Sequence, residues 1–183
     1  MRGKLLVLSG PGGVGKSTIS NEIRKDPRFW ISVSYTTRES RAYEIAGIDY
    51  HFVSDAEFDA MIDASAFLEF AEFAGARYGT PRIEVENALT AGKHVLLEIE
   101  ISGARQVRSQ CASAILIFLM PPSWEELKAR ITARGTDQPE RIADRLALAE
   151  AEIAAAGEFD HILVNHRVEE VVAGLVALAT AVE

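Results

Sequence analysis

The sequence predicts an α/β fold built on a parallel sheet with helices on both faces. Three observations carry that expectation. Short apolar runs suited to buried strands recur at 5–8, 94–99, 114–119 and 161–164. Helical patterns with their own start and stop signals separate them. The first run leads straight into Gly10-Pro11-Gly12-Gly13-Val14-Gly15-Lys16-Ser17. Its G-x-x-x-x-G-K-[ST] spacing is that of a loop whose backbone amides cradle phosphate.

Taken in order, Leu5-Leu6-Val7-Leu8 reads as a buried strand and 17–25 as a helix stopped by Asp26-Pro27. The N-terminal amides and macrodipole of that helix favour phosphate. A strand over 30–34 is followed by a polar segment to Gly47 and a short strand over 50–53. Ser54 with Glu57 three residues later forms a capping box for a helix to about Asp63. The run 67–73 reads as a strand with Glu69 and Glu72 inside it. Thr80 as cap and Pro81 in the first turn open a helix ending near Gly92. Beyond it come a strand at 94–99, a short helix at 103–108 and a strand at 114–119. Pro121-Pro122-Ser123 with Glu126 starts a helix through about Ala133, and Asp137 with Glu140 caps another running toward Gly157. A strand at 161–164 and a helix at 168–182 complete the chain.

Length and composition narrow the function. A chain of 183 residues fits one domain with small insertions, and 48% hydrophobic with 25% charged residues is ordinary for a globular protein. The net charge of −8 argues against a nucleic-acid or anionic-membrane binder. Yet 14 of the 19 basic residues are Arg, several of them within 38–41 and 130–145. Arg offers a planar donor fork suited to phosphate oxygens, so the expected ligand is a small anion. Cys111 is alone, which fits a reducing, cytoplasmic setting, and no run approaches a membrane span. The four histidines show no metal-ligand spacing.

In such a sheet ligands gather beyond the carboxyl ends of the strands. There Lys16 is suited to the β/γ-phosphates of a nucleotide and the Ser17 hydroxyl to Mg²⁺. The run 94–99 ends Glu98-Ile99-Glu100, two carboxylates of the same parity near that edge, one of them suited to water-coordinated Mg²⁺. The loop is specific for nucleotide binding and nearly silent on the reaction.

The stretch Ser32-Val33-Ser34-Tyr35-Thr36-Thr37-Arg38-Glu39-Ser40-Arg41, then Tyr50-His51-Phe52, resembles guanylate kinases. Glu69, Tyr78-Gly79-Thr80-Pro81, Pro121-Pro122-Ser123, Arg134-Gly135-Thr136 and Asn165 follow in matching order. The resemblance implies a three-layer P-loop NTPase fold with a central parallel sheet, a small mixed α/β insert that binds a nucleoside monophosphate, and a helical lid. It implies a core of 1–33, 81–122 and 157–183, an insert of 34–80 and a lid of about 123–156. It further implies ATP as phosphate donor, GMP as acceptor and Mg²⁺.

Carried over residue by residue, Arg38, Arg41, Tyr50 and Tyr78 match residues that hold the GMP phosphate, and Ser34, Glu69 and Thr80 match those that read guanine. Glu100 joins this acceptor set. Gly10, Pro11, Gly12, Gly13, Val14, Gly15, Lys16, Ser17 and Thr18 match the ATP-binding loop, and Asn165 a position near adenine. Lys16, Arg38, Arg130, Arg134 and Arg145 match residues that neutralise the phosphates during transfer, while Ser17 and Glu98 match the metal position. The chain departs from the pattern at Ser40 (usually Pro), Tyr43 (usually Gly), and Glu98 and Glu100 (usually Asp). Other readings are a kinase acting on a ribose phosphate, a non-catalytic guanylate-kinase-like binding module and a nucleotide-sensing switch.

Overall fold

The first apolar run forms β1 (Leu5–Ser9), buried along its whole length at the middle of a five-stranded parallel sheet. The structure, a computed structural model, describes residues 2–133 and 139–181. Around β1 lie β2 (Phe29–Ile31), β7 (His94–Glu98), β8 (Ile115–Met120) and β9 (His161–Val164), in the order β2-β7-β1-β8-β9. Alternation along these strands sends side chains to two separate cores. Leu6, Leu8, Leu96, Ile117 and Leu119 pack with Ile19 and Ile23 of α1 (Lys16–Ile23) and Val171 and Leu175 of α7 (Val168–Thr180). On the other face, Leu5, Val7, Val95, Leu97 and Leu116 meet Val85 and Leu89 of α3 (Arg82–Thr90) and Ala104 and Val107 of α4 (Ile101–Gln110). Three layers result, as the sequence implies.

A second sheet has the order β4-β3-β6-β5, from β4 (His51–Phe52), β3 (Tyr35–Thr36), β6 (Ala76–Pro81) and β5 (Phe67–Phe73). Only β3 and β4 run parallel in it. Against it packs α2 (Asp55–Asp63), opened by the expected capping box: Glu57 N–H donates to Ser54 Oγ, and Ser54 N–H donates to the Glu57 carboxylate. The remaining helices are α5 (Trp124–Ala133), where Glu126 N–H donates to Ser123 Oγ, and α6 (Pro139–Ala154). The expected cap at Asp137 and Glu140 lies outside what is described, as does Val182. Among the described residues no helix is long and apolar enough to cross a membrane.

Several boundaries differ from those read in the sequence. Thr80 is not a helix cap: Thr80 and Pro81 close β6, and α3 begins after Pro81 with no side-chain cap. The Thr80 hydroxyl instead donates to Glu69 Oε1 at 2.6 Å, a tertiary bond that spacing along the chain cannot reveal. The strand expected at 30–34 stops at Ile31, and the polar segment after it contains β3, whose partners are 15 or more residues away in sequence. The helix expected at 103–108 spans Ile101–Gln110, running through Gly103.

Phe58 holds α2 to the second sheet. It is fully buried, with ring centroids 4.6 Å from Phe67 and 6.5 Å from Phe70, and the Arg77 guanidinium lies 4.8 Å above its ring. Phe58→Ala should cost about 3–5 kcal/mol in denaturant-induced unfolding. A loss below about 1 kcal/mol would mean that the site collapses without it.

Candidate active site

The phosphate loop leaves β1 at Gly10, where β8 passes so close that a Cβ would lie 2.4 Å from the Leu119 carbonyl oxygen. No larger residue fits without moving a core strand. The loop is closed by Val14 N–H donating to Pro11 O and anchored by the fully buried Val14 side chain. Gly15, left-handed at φ 105°, then starts α1. Lys16 Nζ donates to the Gly10 and Pro11 carbonyls at 2.5 and 3.4 Å, so its ammonium lies over the loop it serves.

Parallel register places Leu8 beside Glu98, so Glu98 ends β7 next to the loop. Its carboxylate accepts from Ser17 Oγ at 2.7 Å and from Ser20 Oγ at 2.8 Å. Ser20, one turn along α1, is not apparent from the loop motif. Among the described residues no three His, Cys, Asp or Glu side chains gather as a metal site. The all-oxygen pair Ser17 and Glu98 fits Mg²⁺, which takes few protein ligands and completes its shell with phosphate and water.

Glu69 and Thr80 face each other across β5 and β6 and are 4% and 0% exposed. Burial pushes the Glu69 carboxyl up to about 7, against the Thr80 hydroxyl and backbone bonds, with Glu100 adding to the rise. A Cβ on Gly103 would lie 2.4 Å from Glu69 Oε2, so α4 can pass this carboxyl only with glycine there. One turn further, Gln106 donates to Phe70 O and accepts from Phe70 N–H, tying α4 to the strand beside Glu69. Neither residue carries a chemical signature in the sequence, because both act through shape and backbone.

A third cluster joins Arg38, Arg41, Tyr50 and Tyr78. Arg38 forms a two-pronged bond to Glu44 at 2.9 and 3.0 Å and lies 5.3 Å from the Tyr50 ring centroid. Glu44, whose pKa that bond lowers, also accepts from Arg41 N–H. Arg38 Nε is buried without a hydrogen-bond partner. Tyr50 stands edge-on to Tyr78 at 5.9 Å, and burial, helped by Glu98, pushes its hydroxyl up to about 12. Ser34 holds this sheet through its carbonyl, which accepts from His51 N–H.

On the other side of the loop a cleft of about 390 Å³ is lined by Gly13, Gly15, Thr18, Arg130, Asn165, His166 and Val168. Arg130 donates to Val14 O and pairs with Glu126. Asn165 is buried and donates to the same Val14 carbonyl at 2.8 Å, so it braces the loop from β9. His166 and Val168 have no motif that would single them out. Arg145 lies half-buried on α6, and Arg134 is outside the described residues. Glu152, also on α6 and unmarked in the sequence, accepts from Gly12 N–H at 3.2 Å. Burial, then the neighbouring Glu100, pushes its carboxyl up to about 7.

Comparison with known proteins adds an independent line. The family model for guanylate kinase matches residues 2–181. A guanylate kinase of Thermobifida fusca is 55% identical over 179 residues, 97% of this chain and 91% of the relative. One of Thermus thermophilus is 49% identical over 181 residues, 99% of this chain and 82% of the relative. The crystal structure of guanylate kinase from Anaplasma phagocytophilum superposes with a TM-score of 0.79 at 33% identity, covering 98% of this chain and 88% of that one.

Glu69 makes ligand-free stability depend on pH. Its proton is held more tightly folded, near 7, than at the ordinary 4.5. Its contribution is therefore full below the unfolded value and lost as pH rises through the folded one. Glu69→Gln should flatten the decline in unfolding free energy between about pH 5 and pH 8 by up to about 3 kcal/mol. Parallel pH curves for the two proteins would show that Glu69 titrates normally.

Proposed function

The chain belongs to the guanylate kinase family and is an ATP-dependent guanylate kinase, and from that premise we propose how its residues divide the transfer of a phosphoryl group from ATP to GMP. The observation that carries the assignment is a buried carboxyl, Glu69, bonded to Thr80 in the same sheet as a cluster of phosphate-suited donors. That cluster is Arg38, Arg41, Tyr50 and Tyr78, and the loop with Lys16 supplies a second group of phosphate-suited donors.

Guanine suits the Glu69 position. Its N1–H and exocyclic N2–H are adjacent donors that one carboxylate accepts together, and its O6 accepts from hydroxyls. Adenine has neither donor on that edge. Thr80 fixes one oxygen of Glu69 and Gly103 confines the other, so the carboxylate is aligned before the base arrives. A site that pairs buried polar groups rejects the analogue that leaves them unpaired. Ser34 and Glu100 complete this subsite.

The acceptor phosphate belongs with Arg38, Arg41, Tyr50 and Tyr78. The buried, unpartnered Nε of Arg38 is a donor for which a phosphate oxygen is a natural partner, while Glu44 holds the guanidinium in place meanwhile. That phosphate is largely dianionic at neutral pH, with a second pKa near 6, so its oxygen needs no general base. Transfer then depends on alignment and charge neutralisation. ATP lies along the loop, Gly10 to Thr18, with its base toward the cleft beside Asn165. Lys16, Arg130, Arg134 and Arg145 are assigned to its phosphates, the last three within a lid region of about 123–156. Residues 34–80 form the acceptor insert on a core of 1–33, 81–122 and 157–183. Mg²⁺, held by Ser17 and through water by Glu98, supplies charge neutralisation between the phosphates when bound. A lone Cys111 and the absence of a membrane-spanning helix among the described residues support a cytoplasmic setting.

The test is kcat/KM with GMP, IMP and AMP for the parent and Glu69→Gln. The amide places an N–H against a guanine N–H, a mispairing of about 1–3 kcal/mol and more when a charge-assisted bond is lost. Efficiency with GMP should fall about ten- to a few-hundred-fold, with IMP less affected and ATP affinity unchanged. Undiminished use of GMP would remove Glu69 as the guanine reader.

A further inference from the structure

Glu152 performs none of the tasks above, yet it is 8% exposed and its carboxyl accepts from the amide of Gly12, within the loop that cradles phosphate. We propose that Glu152 is an acid seated on an amide of the phosphate loop, so that ATP must displace it and thereby shift α6. The inference rests on the loop being the ATP site.

Three features support it. The bond joins residues 140 apart, so it is a tertiary contact between the loop and α6, not part of the loop's own turn. Second, the carboxyl is poorly housed as an ordinary buried acid. Glu100 stands against it and shares a hydrogen bond with it, both favouring the protonated acid, and Lys16 and the Gly12 amide oppose that only in part. Lys16 Nζ itself bonds the Gly10 and Pro11 carbonyls. Third, the amide it occupies belongs to a loop whose N–H groups converge on phosphate oxygens. A carboxylate and a polyphosphate cannot share one N–H, and their repulsion in a partly desolvated site is large.

The link to α6 is direct. Glu152 and Arg145 are seven residues, about two helical turns, apart on α6, so they lie on one face. A polyphosphate that expels the acid shifts the same rigid element that carries Arg145. The helix therefore holds one group that the phosphates repel and one that they attract.

The experiment is calorimetric titration with ATP, in the absence of GMP, of the parent, Glu152→Gln and Glu152→Ala. Gln keeps an acceptor for Gly12 N–H and gains a donor toward Glu100, so the fold is retained while the charge is removed. Glu152→Gln should bind ATP about three- to thirty-fold more tightly, with GMP affinity unchanged. Glu152→Ala should also bind ATP more tightly. Its α6 amides should exchange hydrogen in the nucleotide-free protein as fast as those of the ATP-bound parent. Equal or weaker ATP binding by Glu152→Gln overturns the inference, as does an equal shift in GMP affinity. If the parent itself fails to bind ATP, the reading of the loop falls and the inference with it.

Discussion

Parallel pairing of β1 between β7 and β8 is the constraint on which the site depends. It sets Leu8 beside Glu98 and Ser9 beside Phe118, so both neighbouring strands end where the phosphate loop begins. Gly10 can leave β1 against the Leu119 carbonyl only because it has no side chain. Glu98 meets the Ser17 and Ser20 hydroxyls because it ends β7 as the partner of Leu8, just before the loop. From the far side Asn165, just past β9, reaches Val14 O. The loop is thus held by three strands other than its own.

The second sheet meets this core through α4. Gly103 lets the helix pass against Glu69, and Gln106 substitutes for a neighbouring strand at the edge of β5. Glu69 is therefore fixed by a helix of the core as well as by Thr80. In the proposed assignment, base recognition and phosphate binding are joined through α4, whose capping residue Glu100 acts on both Glu69 and Glu152. Glu100 adds to the proton affinity of both Glu69 and Glu152, a cost that a structure built only for stability would avoid. Their clustering is intelligible where guanine donors and phosphate charge are to be sorted within a short distance.

Charge is handled differently at the two phosphate positions. Arg38 is already paired with Glu44, so the acceptor phosphate proposed there would meet a guanidinium held in one geometry. Lys16, whose ammonium hydrogen-bonds the Gly10 and Pro11 carbonyls, is not locked into a carboxylate fork of that kind among the described residues. Preorganisation at the first position and availability at the second both reduce the reorganisation needed at transfer.

What the sequence by itself determined was everything set by local pattern. The strands at 5–8 and 161–164, the capping box at Ser54, the phosphate loop and the three-layer α/β class follow from periodicity, capping chemistry and glycine spacing. The resemblance to guanylate kinases, carried by residues such as Arg38, Tyr50, Glu69 and Tyr78, extended this to function. Tertiary structure decided what depends on groups distant in the chain. Thr80 reads as a helix cap until Glu69 takes its hydroxyl. Tyr35 and Thr36 become a strand only through partners at 51–52 and 78–79. Gly103, Gln106 and Glu152 look like ordinary helix residues, because their importance lies in what packs against them. Local rules act over a few residues, whereas a binding site is assembled by a sheet edge that brings together residues up to 151 positions apart.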